Sequence, residues 1–93
     1  MTGKSARIEL SRRAQRDIDD MPDDELEIIR EDIKRIAAGT FPGEIKMIHA
    51  LPGKPLQADS GRYRVLCRRS AGLLEIIAVF PKKQQSKIFR SLR

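Results

Sequence analysis

Apolar and polar residues alternate from Ala6 to Leu10, with Ile8 and Leu10 on one side and Arg7 and Glu9 on the other, which predicts a short first strand. Ser11 follows as a good N-cap. Beyond it Ala14, Ile18 and Met21 recur at helical spacing, while Arg12, Arg13, Arg16, Asp17, Asp19 and Asp20 face water. Pro22 ends this helix, because the residue before a proline is pushed out of the helical region. Asp23 is the expected cap of a second helix, whose first turns carry Asp24, Glu25 and Glu27, the sign that the helix dipole favours there. Leu26, Ile29, Ile33, Ile36 and Ala37 form its apolar stripe, and Gly39 is the expected stop. With almost no loop between them, the two helices predict a hairpin.

Phe41–Pro55 holds three prolines and two glycines and predicts a connecting segment with a short extended piece at Ile45–Leu51. Leu56–Asp59 predicts a brief strand. Arg62–Arg68 predicts a clearer one, with Tyr63, Val65 and Cys67 on one face and Arg62, Arg64, Leu66 and Arg68 on the other. Ser70-Ala71-Gly72 is the expected turn. Leu73–Phe80 is apolar on both faces except at Glu75, the pattern of a central strand, and Pro81 ends it. Lys82–Leu92 predicts a short basic helix or a trailing arm, anchored by Ile88, Phe89 and Leu92. The expected fold is α+β: a small twisted antiparallel sheet of three to four strands plus the N-terminal strand, packed against an N-terminal helical hairpin.

A chain of 93 residues is expected to form a single domain over 1–93. It has one cysteine, Cys67, and one histidine, His49, so neither an internal disulfide nor a zinc site is expected, and no cofactor is expected either. Cys67 reads as a small buried hydrophobe. No apolar run approaches the length of a membrane span, and Met1–Arg7 has no apolar segment of signal-peptide type. A cytoplasmic protein without a membrane partner is the expectation. Charge changes the picture more. Residues 1–40 carry 8 basic and 10 acidic side chains, whereas residues 41–93 carry 11 basic and 3 acidic. Such asymmetry predicts one positive face, able to meet phosphates and to speed the encounter.

The candidate chemistry lies on that half. Arg62, Arg64 and Arg68 are expected on one sheet face, with Lys82, Lys83 and Lys87 beside it past Pro81. Arginine grips phosphate with two prongs and lysine acts as a mobile point charge. Nucleic-acid binding, docking of an acidic protein and a plain solvated face all fit this stripe. The sequence has no phosphate loop of the P-loop type and no Ser/His/Asp set. An enzyme built from these residues would rely on Arg, Lys and Tyr63. RNA cleavage suits such a set, because the substrate brings its own 2′-hydroxyl nucleophile. The protein then aligns it, stabilises charge on the phosphate and manages two protons. Tyr63, opposite in direction to Arg64, reads as core.

Several segments together resemble the RelE/ParE superfamily of type II toxins. They are Leu10-Ser11-Arg12-Arg13-Ala14 followed by Asp17, the helices broken at Met21-Pro22, Leu51-Pro52-Gly53, Gly61-Arg62-Tyr63-Arg64-Val65-Leu66, and Phe80-Pro81-Lys82-Lys83-Gln84-Gln85-Ser86-Lys87-Ile88-Phe89. The resemblance covers nearly the whole chain. It implies a toxin neutralised by a cognate antitoxin. RelE-like members cut mRNA, usually on the ribosome, leaving a 2′,3′-cyclic phosphate, and so inhibit translation. ParE-like members inhibit DNA gyrase instead. A homologue that only binds its antitoxin is the third possibility.

Carried over, the resemblance implies that Arg64 binds the reacting phosphate, with Lys83 as acid or charge stabiliser and Lys82 beside it. The flanking cations Arg62, Arg68, Lys54, Lys87 and Arg90 are the expected RNA-binding residues, and Lys54 is also a candidate proton carrier. Two departures stand out. Phe89 occupies the place of a tyrosine that some members use, and a lysine pair found on the preceding strand is replaced by Leu56-Gln57-Ala58-Asp59.

Overall fold

The structure, a computed structural model, describes residues 5–93, so Met1–Lys4 of the N-terminal stretch read above lie outside the described residues. The chain runs β1 (Arg7–Leu10), α1 (Arg12–Asp19), α2 (Asp23–Ala38), β2 (Ile45–Met47), β3 (Leu56–Ser60), β4 (Tyr63–Ser70), β5 (Leu73–Pro81), a 3₁₀ turn (Lys82–Gln84) and α3 (Gln85–Leu92). The sheet order is β1-β5-β4-β3-β2. Strands β2 to β5 form an antiparallel meander. β1 joins it parallel to β5, with Ile8 beside Leu74 and Leu10 beside Ile76. Among the described residues no helix is long and apolar enough to cross a membrane.

Ser11 caps α1 as expected, accepting from the Ala14 N–H at 3.0 Å. The second cap differs from expectation. Pro22, not Asp23, holds the N-cap position, and its carbonyl accepts the first helical bond from Leu26 N–H at 2.9 Å. Asp23 lies inside the first turn, where with Asp24 and Glu25 it serves the dipole rather than the cap. Gly39 ends α2 in the left-handed region at φ 78°, and Arg69 donates to the carbonyls of Ile36 and Ala37, which also accept from the Gly39 and Ala6 N–H groups.

The helices cover one face of the sheet. Ala14, Met21, Ile29, Ile33, Ile36 and Ala37 pack there against Ala58, Val65, Cys67, Leu74, Ile76 and Val79. The opposite face has a smaller core of Leu51, Leu66, Ala78, Phe80 and Ile88, with Phe89 and Leu92 at its margin. β5 serves both faces through a bulge: Leu66 pairs with Ala78 and Cys67 with Ile76, leaving Ile77 unmatched. The cap of α1 and a residue within it satisfy the backbone there. The Ser11 hydroxyl donates to Ile77 O at 2.7 Å, and Asp17 accepts the Val79 N–H at 2.9 Å. Burial drives the Asp17 pKa above its ordinary value, against the opposing effect of that hydrogen bond. Ile8 and Leu10, which share one side of β1, remain 37% exposed, because β1 has a neighbour on one side only.

Candidate functional site

The turn Ser60-Gly61-Arg62-Tyr63 is a two-residue hairpin with Gly61 at φ 59°. Strand alternation therefore begins at Tyr63. Arg64, Leu66 and Arg68 take the face away from the helices, as the pattern predicts. Arg62 does not join them: as a turn residue it reaches back to α2, where its Nε meets Glu25 Oε2 at 2.7 Å. Its guanidinium also lies over the Tyr63 ring, 5.9 Å from the centroid. Tyr63 donates to the other Glu25 oxygen at 2.7 Å, and this bond raises the phenol pKa. Tyr63 thus closes the helix side and points away from Arg64.

On the opposite face one carboxylate gathers two cations. Asp59, on β3, accepts from Arg64 Nε through Oδ1 at 3.1 Å, and Lys82 Nζ lies 3.4 Å from its Oδ2. Arg64 also donates through Nη1 to Gln85 Oε1, at the start of α3. The register explains the meeting. Asp59 pairs with Arg64 across β3–β4, and Arg64 pairs with Phe80 across β4–β5. The chain then leaves the sheet at Pro81, and the Lys82 N–H bonds Arg62 O at 3.0 Å, which holds the 3₁₀ turn beside the hairpin.

Two hollows flank this junction. The wider, of about 610 Å³, is lined by Gly61, Arg62, Pro81, Lys82, Lys83 and Gln84. The narrower, of about 130 Å³, is lined by Gly43, Glu44, Lys46, Gln57, Asp59 and Arg64. Gln57 is 8% exposed, and its Oε1 is buried without a hydrogen-bond partner. Arg64 and Lys82 thus converge on Asp59, whereas Lys83 and Arg62 border the neighbouring hollow.

The other candidate cations lie apart. Arg68 is four residues along β4 from Arg64, about 13 Å at ~3.3 Å per residue. It donates to Pro52 O at 3.4 Å and lies over Gly53, where a Cβ would come within 2.4 Å of its guanidinium. Lys54 follows in the same loop at φ 46°, exposed and outside both hollows. Lys87 and Arg90 are exposed on α3. Phe89 meets Phe80 edge-on, with ring centroids 6.2 Å apart, and so serves the core. Cys67 is buried, with its thiol pushed up to about 11, chiefly by desolvation. Asp59 is the residue that the sequence reading passed over. Its position opposite Arg64 was a retrievable signal, but its contact with Lys82 needed the folded chain.

No protein-family model matches the sequence, and no curated protein matches it. Solved structures do share its fold. A chain of the RelBE2 toxin–antitoxin complex from Mycobacterium tuberculosis is similar with a TM-score of 0.72 and 18% identity, over 85% of this chain and all of that one. A chain of the RelB–RelE antitoxin–toxin complex from Methanococcus jannaschii gives 0.69 and 14%, over 87% of this chain and 98% of that one. A chain of the archaeal RelE–RelB complex from Pyrococcus horikoshii gives 0.69 and 13%, over 85% and 97%. The fold is RelE-like.

Proposed function

We propose that the chain is the toxin of a type II toxin–antitoxin module and acts as a RelE-like, metal-independent mRNA endoribonuclease, with the ribosome as its working partner. One observation carries the reading: Arg64 and Lys82 meet at one point, beside a wide cationic hollow, on a RelE-like fold. In this reading Arg64 binds the scissile phosphate and stabilises charge as it builds in the transition state. Lys82 adds a second cation. Lys83, from the neighbouring hollow, neutralises or protonates the departing oxygen. A cognate antitoxin is the proposed protein partner, in line with the complexes in which the similar chains were solved.

The test is induced expression of the chain alone, with transcript ends mapped. Growth arrest with cleaved transcripts supports the reading, and Arg64→Ala should lower cleavage by about 10²–10³-fold, the usual loss when a charge-stabilising donor is removed. Full toxicity of Arg64→Ala would sink this site assignment. A second reading, inhibition of DNA gyrase in the ParE manner, is favoured by Phe89, which is committed to packing and has no proton to transfer. It predicts intact transcripts and a DNA-damage response. Harmless expression would leave only antitoxin binding.

A further inference from the structure

Cleavage through the 2′-hydroxyl needs an acceptor for its proton close to the bound phosphate. Few groups around the two hollows qualify. Gln57 and Gln85 carry amides, which do not take up protons near neutral pH. Both oxygens of Glu25 are occupied, by Arg62 and Tyr63. Glu44 lines the narrow hollow, but its ion pair is with Lys46 at 3.8 Å. His49 is exposed and lines neither hollow. Asp59 alone among these carboxylates touches both Arg64 and Lys82, and its side chain is 51% exposed, open to a substrate.

We propose that Asp59 is the general base of this site, an inference that rests on the ribonuclease reading above. Arg64 has five N–H donors, of which Nε serves Asp59 and Nη1 serves Gln85. Lys82 has three donors and spends one on Asp59. Donors therefore remain for a phosphate lying beside the carboxylate. The 2′-O–H bond breaks and its proton passes to an Asp59 oxygen. The 2′-oxygen bonds to phosphorus, and the bond from phosphorus to the 5′-oxygen breaks with its electron pair leaving on that oxygen. The leaving oxygen takes a proton from the ammonium of Lys83. The products are a 2′,3′-cyclic phosphate and a 5′-hydroxyl, and exchange with water restores both side chains.

The same contacts allow two rival roles. The carboxylate could merely hold Arg64 in place, or merely fill the space that a phosphate needs. Asp59→Asn separates them when cleavage of programmed ribosomes and of free RNA is measured with the full-length chain, alongside affinity for a 2′-deoxy RNA that cannot react. A general base predicts at least ~100-fold slower cleavage, with affinity for the 2′-deoxy RNA unchanged or tighter. Asp59→Glu should keep measurable cleavage and the acidic limb of the pH–rate profile, and Asp59→Asn should lose that limb. The groups that face this carboxylate are Arg64 from β4, Lys82 from the 3₁₀ turn, and Lys46 and Glu44 across the narrow hollow.

Parallel loss of affinity and cleavage would reduce Asp59 to a tether, and a gain in both would reduce it to a plug. Either result overturns the proposal, as does unchanged cleavage by Asp59→Asn. If the parent chain leaves every RNA intact, the ribonuclease reading fails first and the role of Asp59 fails with it.

Discussion

The two faces of the sheet are covered by very different amounts of protein. One lies under α1 and α2, 8 and 16 residues long, and its side chains are almost wholly apolar. The other has only α3, eight residues long, or about 12 Å of helix at ~1.5 Å per residue. That is too short to roof the sheet. Ile88, Phe89 and Leu92 close one part of the face over Leu66, Ala78 and Phe80. The part left open carries Asp59 and Arg64, with the Gln57 amide buried beside them. A single strand such as β4 thus sends Val65 and Cys67 into a dry core and Arg64 into the candidate site. The lesson is that the length of the covering helix, more than the strand sequence, decides where polar chemistry can sit.

The contrast can be broken from either side. Leu74→Ala empties the helix-covered core and should cost about 2–5 kcal/mol. Ile88→Ala, beneath the short cover, should cost less, about 1–2 kcal/mol, because α3 can settle and water is near. Urea unfolding of both variants measures the difference, and equal losses would refute the unequal cover.

Asp17 probes how tightly α1 is tied to β5. Asp17→Ala leaves the Val79 N–H without its partner and should cost about 1–3 kcal/mol. Asp17→Asn keeps an acceptor and sheds a charge that burial disfavours. Because the folded pKa lies above the ordinary value of 3.8, the parent gains stability from this group only while it is protonated. That gain is complete below the unfolded pKa and is lost as the pH rises through the folded one. Asp17→Asn should therefore equal the parent in acid and match or exceed it at pH 7, as thermal melts across pH would record.

On the open face, Lys83→Ala should weaken RNA binding modestly and flatten the plot of log Kd against log salt by about 0.7, the value of one single-strand phosphate contact. An unchanged slope would place Lys83 outside the footprint. The smallest effect is chemical. With its thiol pushed up to about 11 and no exposed surface, Cys67 should resist alkylation at pH 8 until the chain unfolds.

Much of this architecture was legible in the sequence because it rests on local signals. Ser11 and Gly39 mark helix ends by their own chemistry, and the periodicity of Ile29, Ile33 and Ile36 gives the covered face. Asp23 misled because acidic residues suit both a cap and a first turn, and Pro22 already supplied an extended N-cap backbone. Arg62 misled because alternation was extended one residue too far, into a turn that Gly61 bends. The parallel pairing of β1 had no local signal, since it joins residues 66 apart. The site was half legible. Arg64 and Lys82 could be nominated by type, but Asp59 is one of three acids in a basic half, and only the sheet register together with the exit at Pro81 brings Lys82 to it.

The unmatched Ile77 has a wider consequence. Were Ile77 paired like its neighbours, strict two-residue parity from Leu74 would put Phe80 under the helices and alter where the chain leaves the sheet for Lys82. One surplus residue therefore acts as a phase switch, letting a single strand begin as a floor for α1 and finish as the launching point of the cationic turn. Length changes between residues 78 and 81 should be far less tolerated than those in the loop at residues 48–55, since each odd step would reverse that phase again.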